Sequence, residues 1–169
     1  MSKLTNFIAF QVCWFACVLG AAKGMEWIGP LSVALFLAWS LTLVASAKRE
    51  LAALAAAAAL GTFVDTVQLQ MGWLVYQGAP LLGALAPSWI VALWVVFAST
   101  FESSLAWVTS RPWLNVAFAL FGAPVSYLGG ERLGSLEVLA PRTSALIGVG
   151  VLWAVALPLA ALVYRRVRS

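Results

Sequence analysis

An all-α integral membrane protein, a compact bundle of about six transmembrane helices with amino and carboxyl termini cytoplasmic, is the class this sequence predicts. Three observations carry that reading. Of 169 residues, 63% are hydrophobic and only 9% charged, where a soluble domain has roughly half and a quarter. The mean hydropathy is +0.98. The apolar residues also fall into runs close to the ~20 residues that cross a bilayer. Six such runs consume ~120 residues, so the expected organisation is one polytopic domain over 1–169. The absence of histidine excludes His-containing catalytic triads, histidine-ligated haem and the HExxH zinc site. No metal or other cofactor is expected.

Taken in order, the predicted spans are 4–22, 28–46, 51–71, 88–107, 113–130 and 144–164. The first follows Lys3 and holds Cys13 and Cys17, one helical turn apart, which read as small packing residues. Reading this run as a cleaved signal peptide is disfavoured by its length and by Gln11. The linker 72–87 is uncharged and punctuated by glycine and proline, which suits the outer interface. The fifth run carries Pro124 and the pair Gly129 and Gly130, so a kink or an early end is expected there, with neighbouring helices satisfying freed backbone groups. The outer loop 131–143 concentrates charge in Glu131, Arg132, Glu137 and Arg142.

Basic residues set the orientation. With the amino terminus inside, Lys3, Lys48, Arg49, Arg111, Arg165, Arg166 and Arg168 are cytoplasmic, and only Lys23, Arg132 and Arg142 are outside. That asymmetry follows the positive-inside rule. Trp27, Trp73, Trp89, Trp107 and Trp113 fall at span ends, where indoles favour the interface. Trp14, Trp39 and Trp153 fall near mid-span, where each indole N–H needs an acceptor. The glycine pairs 20/24 and 130/134 read as close packing or a turn.

Two acids remain inside spans. Ala53, Ala57, Gly61 and Asp65 recur every four residues, a stripe of small side chains that admits a neighbouring helix and turns Asp65 toward protein. Asp65 lies roughly 9 Å below the outer end of its helix, and Glu102 roughly 9 Å above the inner end of the fourth. The two are separated by about 12 Å along the membrane normal, too far for one catalytic dyad. Two polar clusters follow. The outer one comprises Asp65, Gln68, Tyr127, Glu131 and Arg132, with an ion pair expected between Asp65 and Arg132. The cytoplasmic one comprises Asn6, Gln11, Glu102, Arg111 and Asn115. Each reads either as interhelical hydrogen bonding that fixes packing or as a functional site, the default for ionisable groups within a span.

Four stretches, NFIAFQVCWF (Asn6, Gln11, Trp14), GTFVDTVQLQMG (Asp65), PSWIVALWVVFAST (Trp89, Trp94, Thr100) and APVSYLGGERLG (Pro124, Tyr127, Gly130, Gly134), carry a resemblance across most of the chain. Through them the sequence resembles a small bacterial inner-membrane family catalogued as domain of unknown function 2878. The resemblance implies a compact bundle in the bacterial inner membrane, crossing it several times. Genes of that family often neighbour lipid-modifying enzymes, which implies membrane lipid remodelling and assigns no reaction. The chain lacks the Trp-x-Pro-x-Gly motif of tryptophan-rich sensory proteins.

The favoured function is a non-enzymatic membrane component that binds a lipid or other hydrophobic ligand, or assists a lipid-modifying partner protein. No nucleic-acid partner is expected, because the basic residues form no stripe. One alternative is a lipid-modifying enzyme using an intramembrane carboxylate as general acid or base, for which no base, nucleophile and orienting group are visible together. A small transporter is the other, weakened by the lack of an internal repeat.

Overall fold

The computed structural model describes residues 1–139 and 141–169. Its elements are α1 (Lys3–Ala22), α2 (Ile28–Ser40) with a 3-10 turn at Leu41–Leu43, α3 (Ala47–Gln70), β1 (Leu74–Tyr76), α4 (Ser88–Ala98), α5 (Ala106–Thr109), α6 (Pro112–Arg132), β2 (Leu136–Val138) and α7 (Arg142–Arg168). The chain is predominantly helical. Three helices, Lys3–Ala22, Ala47–Gln70 and Arg142–Arg168, are long and apolar enough to cross a membrane, and Ile28–Leu43 and Ser88–Ala98 are shorter apolar helices.

Where the helices end departs from the hydropathy reading for identifiable reasons. The run predicted as one span over 88–107 is helical only to Ala98. Hydroxyls end it: Ser99 Oγ donates to the Val96 carbonyl and Thr100 Oγ1 to that of Phe97, each at 2.6 Å. Such side-chain bonds give the backbone an alternative to continuing the helix. Turns follow, then the single-turn α5. Glu102 therefore sits in a turn, not within a spanning helix as expected. The predicted span 28–46 likewise ends in the 3-10 turn, where Thr42 Oγ1 donates to the Trp39 carbonyl at 2.7 Å. Next, Ser46 caps α3 by accepting from the Arg49 amide at 3.4 Å, which starts that helix four residues earlier than hydropathy alone suggests.

The fifth run forms a continuous helix through Pro124. Proline has no N–H for the carbonyl four residues back, here Leu120. Gly150 of α7 lies against that carbonyl: a Cβ on Gly150 would stand 2.6 Å from the Leu120 oxygen. Glycine thus lets α7 pack closely over the freed carbonyl.

Around the bundle, α6 packs on α7, α7 on α3, α3 on α4, and α4 on both α1 and α2, which also pack on each other. The two expected loops are not independent. Residues 74–76 and 136–138 pair as an antiparallel two-stranded sheet, Leu74 opposite Val138 and Tyr76 opposite Leu136. Leu74, Tyr76, Leu136 and Val138 are buried by it. This ladder ties the α3–α4 connection to the α6–α7 connection and hangs Tyr76 over the end of the bundle that holds Asp65.

Candidate functional site

The small-residue stripe of α3 does bring its acid inside. Ala53 and Ala57 are fully buried, and Asp65 is 1% exposed. Gly61, one turn before Asp65, is the seat of an indole: a Cβ there would come within 1.8 Å of the Trp94 ring. That close approach lets Trp94 of α4 lie flat across α3 and donate Nε1–H to Asp65 Oδ2 at 2.5 Å. The other carboxylate oxygen is crowded with donors. Tyr76 O–H donates to Oδ1 at 2.5 Å, Gln68 Nε2–H at 3.3 Å, and Tyr127 O–H as well.

Tyr127 is itself saturated. Its hydroxyl donates to Asp65 and accepts from Gln68 Nε2 at 3.1 Å and from Trp153 Nε1 at 3.2 Å. One donor and two lone pairs are the full capacity of a phenol. Trp153 also stacks on Trp94, with ring centroids 4.5 Å apart. An acid, an amide, two phenols and two indoles from α3, β1, α4, α6 and α7 thus form one network. Of the outer residues grouped from the sequence, Asp65, Gln68 and Tyr127 are brought together in this network. The other two, Glu131 and Arg132, lie elsewhere.

The expected pair of Asp65 with Arg132 does not form. Arg132 is exposed, and none of the four ion pairs among the described residues involves Asp65. Glu131 instead takes Arg142, which donates to both carboxylate oxygens, and Glu131 Oε1 also accepts the Val138 amide of β2 at 2.9 Å. That guanidinium holds the Glu131 carboxyl below the usual range. A charge-counting argument could not find Tyr76, Trp94 and Trp153, because neutral donors leave no charge pattern.

The expected cytoplasmic cluster divides. Asn6 is buried and crosses to the turn after α4, its Oδ1 accepting from Ser104 Oγ at 2.6 Å and from the Ser104 amide at 3.3 Å, and its Nδ2 donating to the Ser99 carbonyl at 3.3 Å. Glu102 is engaged by the tail, by Arg168 and by Arg165 Nε at 3.7 Å. Arg111 is exposed at the start of α6. Asn115 is buried, its Oδ1 without a partner among the described residues. Gln11 lies apart from all of them, on the wall described next. Glu50 was not singled out from the sequence. Buried in the first turn of α3, it accepts from Tyr164 O–H and from Arg168 Nε, both at 2.6 Å. Acid in a first helical turn is ordinary dipole chemistry, so nothing local marked it.

A cavity of about 500 Å³ opens between α1 and α6, with α4 and α7 behind it. Phe10, Trp14, Trp89, Leu93, Phe97 and Phe118 give it aromatic and aliphatic walls, and Asp65 and Tyr127 lie in its lining. It has the size, apolar lining and few convergent polar groups of a small-molecule site. Trp89, expected at an interface, is instead buried, donating to the Gln77 carbonyl at 2.9 Å.

A family model described as a protein of unknown function, DUF2878, matches residues 3–159. No curated protein and no solved structure shows significant similarity.

Proposed function

The chain belongs to this family of unknown function, and from that premise we propose that it is a multi-pass protein of the bacterial inner membrane that binds a lipid or another hydrophobic molecule in the α1–α6 cavity. The single observation that carries the reading is that cavity, about 500 Å³ of mostly apolar space whose deepest polar groups, Asp65 and Tyr127, are held rigid by neighbours. Six crossings are assigned to α1, α2 with its 3-10 turn, α3, the α4–α5 segment, α6 and α7. An even number puts both termini on one side, and the positive-inside rule makes it the cytoplasmic one. The protein holds its ligand without transforming it, alone or for a lipid-modifying partner.

The test is mass spectrometry of lipid extracted from the purified protein, with Gly122→Leu as the cavity-filling control. A Cβ added at Gly122 has the Phe118 ring as its nearest neighbour, at 3.7 Å or more, an ordinary contact distance, so the position admits a larger side chain at the cavity wall, and thermal unfolding of the variant checks that it stays folded. The expected result is a hydrophobic compound enriched over the bulk membrane and absent from Gly122→Leu. A lipid profile equal to the bulk membrane in both proteins overturns the proposal.

A further inference from the structure

Hydrogen bonds satisfy Asp65 without neutralising it, and counting donors shows which form of the acid they fit. The Tyr127 hydroxyl accepts from Gln68 Nε2 and Trp153 Nε1, which leaves its single hydrogen for Asp65 Oδ1. Trp94 Nε1–H can only donate, and it occupies Oδ2 at 2.5 Å. Gln68 Nε2–H reaches Oδ1 at 3.3 Å, and Tyr76 O–H, at 2.5 Å from Oδ1, has no other partner among the described residues. A proton on either carboxyl oxygen would face a hydrogen already there. The shell is therefore complete for the carboxylate and holds the group as an anion.

No base cancels that charge. None of the ion pairs among the described residues includes Asp65, and no lysine or arginine among them lines the cavity. At the same end of the bundle Arg142 is taken by Glu131, and Lys23 and Arg132 are exposed. A charge in nonpolar surroundings without a partner is expensive, so a cavity with Asp65 in its lining favours positive charge.

The wall has the same sign. The indole N–H groups of Trp89, Trp94 and Trp153 are spent on the Gln77 carbonyl, Asp65 and Tyr127. Ser104 and Ser135 give their hydroxyl hydrogens to Asn6 and to the Gly130 carbonyl. What these residues have left for a ligand is ring π-electrons and oxygen lone pairs, both of which attract cations. Phe10, Trp14, Phe97 and Phe118 add further rings. Asp65 is only 1% exposed, so its donors stay in place and its charge acts through the wall. At a spacing of about 7 Å and an effective dielectric of about 20, two unit charges attract strongly enough to raise affinity more than tenfold. Resting on the proposed ligand-binding function, we infer that the ligand is a lipophilic organic cation of net positive charge, an ammonium group on a hydrocarbon body, held against the aromatic wall beside the Asp65 network.

Equilibrium dialysis of delipidated full-length protein in dodecyl maltoside, with empty micelles as the blank, compares trimethyl(1-adamantyl)ammonium with its uncharged isostere 1-tert-butyladamantane and with 1-adamantanecarboxylate. A phosphatidylcholine, whose ammonium carries a phosphate beside it, serves as competitor. The cation should bind the native chain at least about tenfold more tightly than the isostere, with the carboxylate and the phospholipid weaker than the cation. Asp65→Asn should erase the advantage of the cation while binding of the isostere persists, which also reports that the variant keeps its cavity. The isostere, the carboxylate or the phospholipid matching the cation on the native chain overturns this inference without need of any variant, as does a cation advantage that survives Asp65→Asn. Loss of the cavity reading has a different signature: the isostere binds Gly122→Leu as tightly as the native chain.

Discussion

Asp65 and Glu50 are both buried acids on α3, near opposite ends of one helix, and the protein satisfies them by opposite means. Asp65 is surrounded by neutral donors, two phenols, an indole and an amide. Glu50 shares Arg168 with Glu102 and adds a phenol from Tyr164. A neutral shell fixes direction, since each donor must lie on a particular lone pair, and it works where no water screens or competes. A guanidinium shell is more forgiving in geometry and suits the half-exposed end of the bundle. One end of α3 is thus built for shape and the other for anchoring.

Removing the acid from the neutral shell should have the largest effect. Asp65→Ala leaves two phenols and an indole buried without their acceptor, at about 1–3 kcal/mol for each such group. The expected outcome is a loss of several kcal/mol, read as a large drop in melting temperature of the detergent-solubilised protein. Asp65→Asn, which keeps one acceptor oxygen but turns an amide N–H₂ toward a donor, should fall between. An unchanged melting temperature in both variants would break the contrast outright.

At the other end the effect should be graded. Glu50→Gln leaves Arg168 with Glu102 as its carboxylate partner and weakens the Tyr164 bond, an expected loss of about 1–3 kcal/mol. Glu102→Gln touches a carboxylate about one-third exposed and should cost less than ~1 kcal/mol. Thermal unfolding at low and high salt sharpens the comparison: added salt should narrow the gap between native protein and Glu102→Gln, and leave Asp65→Ala unmoved.

The smallest effect belongs to Glu131 and Arg142, at the rim above the Asp65 network. With its carboxyl held below the usual range by Arg142, Glu131 takes up a proton more readily in the unfolded chain than in the folded one. Its contribution is therefore complete above the ordinary glutamate value of about 4.3 and is lost as pH falls through the lower folded value. The difference in melting temperature between native protein and Glu131→Gln should be small at pH ~6 and vanish toward pH ~3. A difference that grows on acidification contradicts the pairing.

Much of this arrangement was legible in the sequence, and the boundary is physical. Four-residue spacing of Ala53, Ala57, Gly61 and Asp65 is a property of one helix, so it located the buried face without knowledge of the neighbours. Gln68 and Tyr127 followed from being polar at similar depth. The partner assigned to Asp65 failed, because pairing an acid with the nearest base ignores neutral donors brought by other helices. Trp94 sits in an apolar run and reads as lipid-facing or core. Only the gap at Gly61 hinted at a bulky visitor. The tail arginines read from sequence as a run of charge, and their bonds to Glu50 and Glu102 depend on how α7 returns past α3. Hydropathy also carried the fourth span through Ser99, Thr100, Ser103 and Ser104, since averaging over a window hides hydroxyls that end a helix.

All of the groups that hydrogen-bond to Asp65 come later in the chain than the acid itself: Gln68, Tyr76, Trp94 and Tyr127. During synthesis α3 is made, with its carboxyl group, before α4 and α6 exist. On the proposed multi-pass arrangement, the acid enters the membrane with only Gln68 beside it and waits for two more helices. The order of manufacture, as much as the finished architecture, makes the small-residue face of α3 a surface that stays unsealed until translation has passed Tyr127.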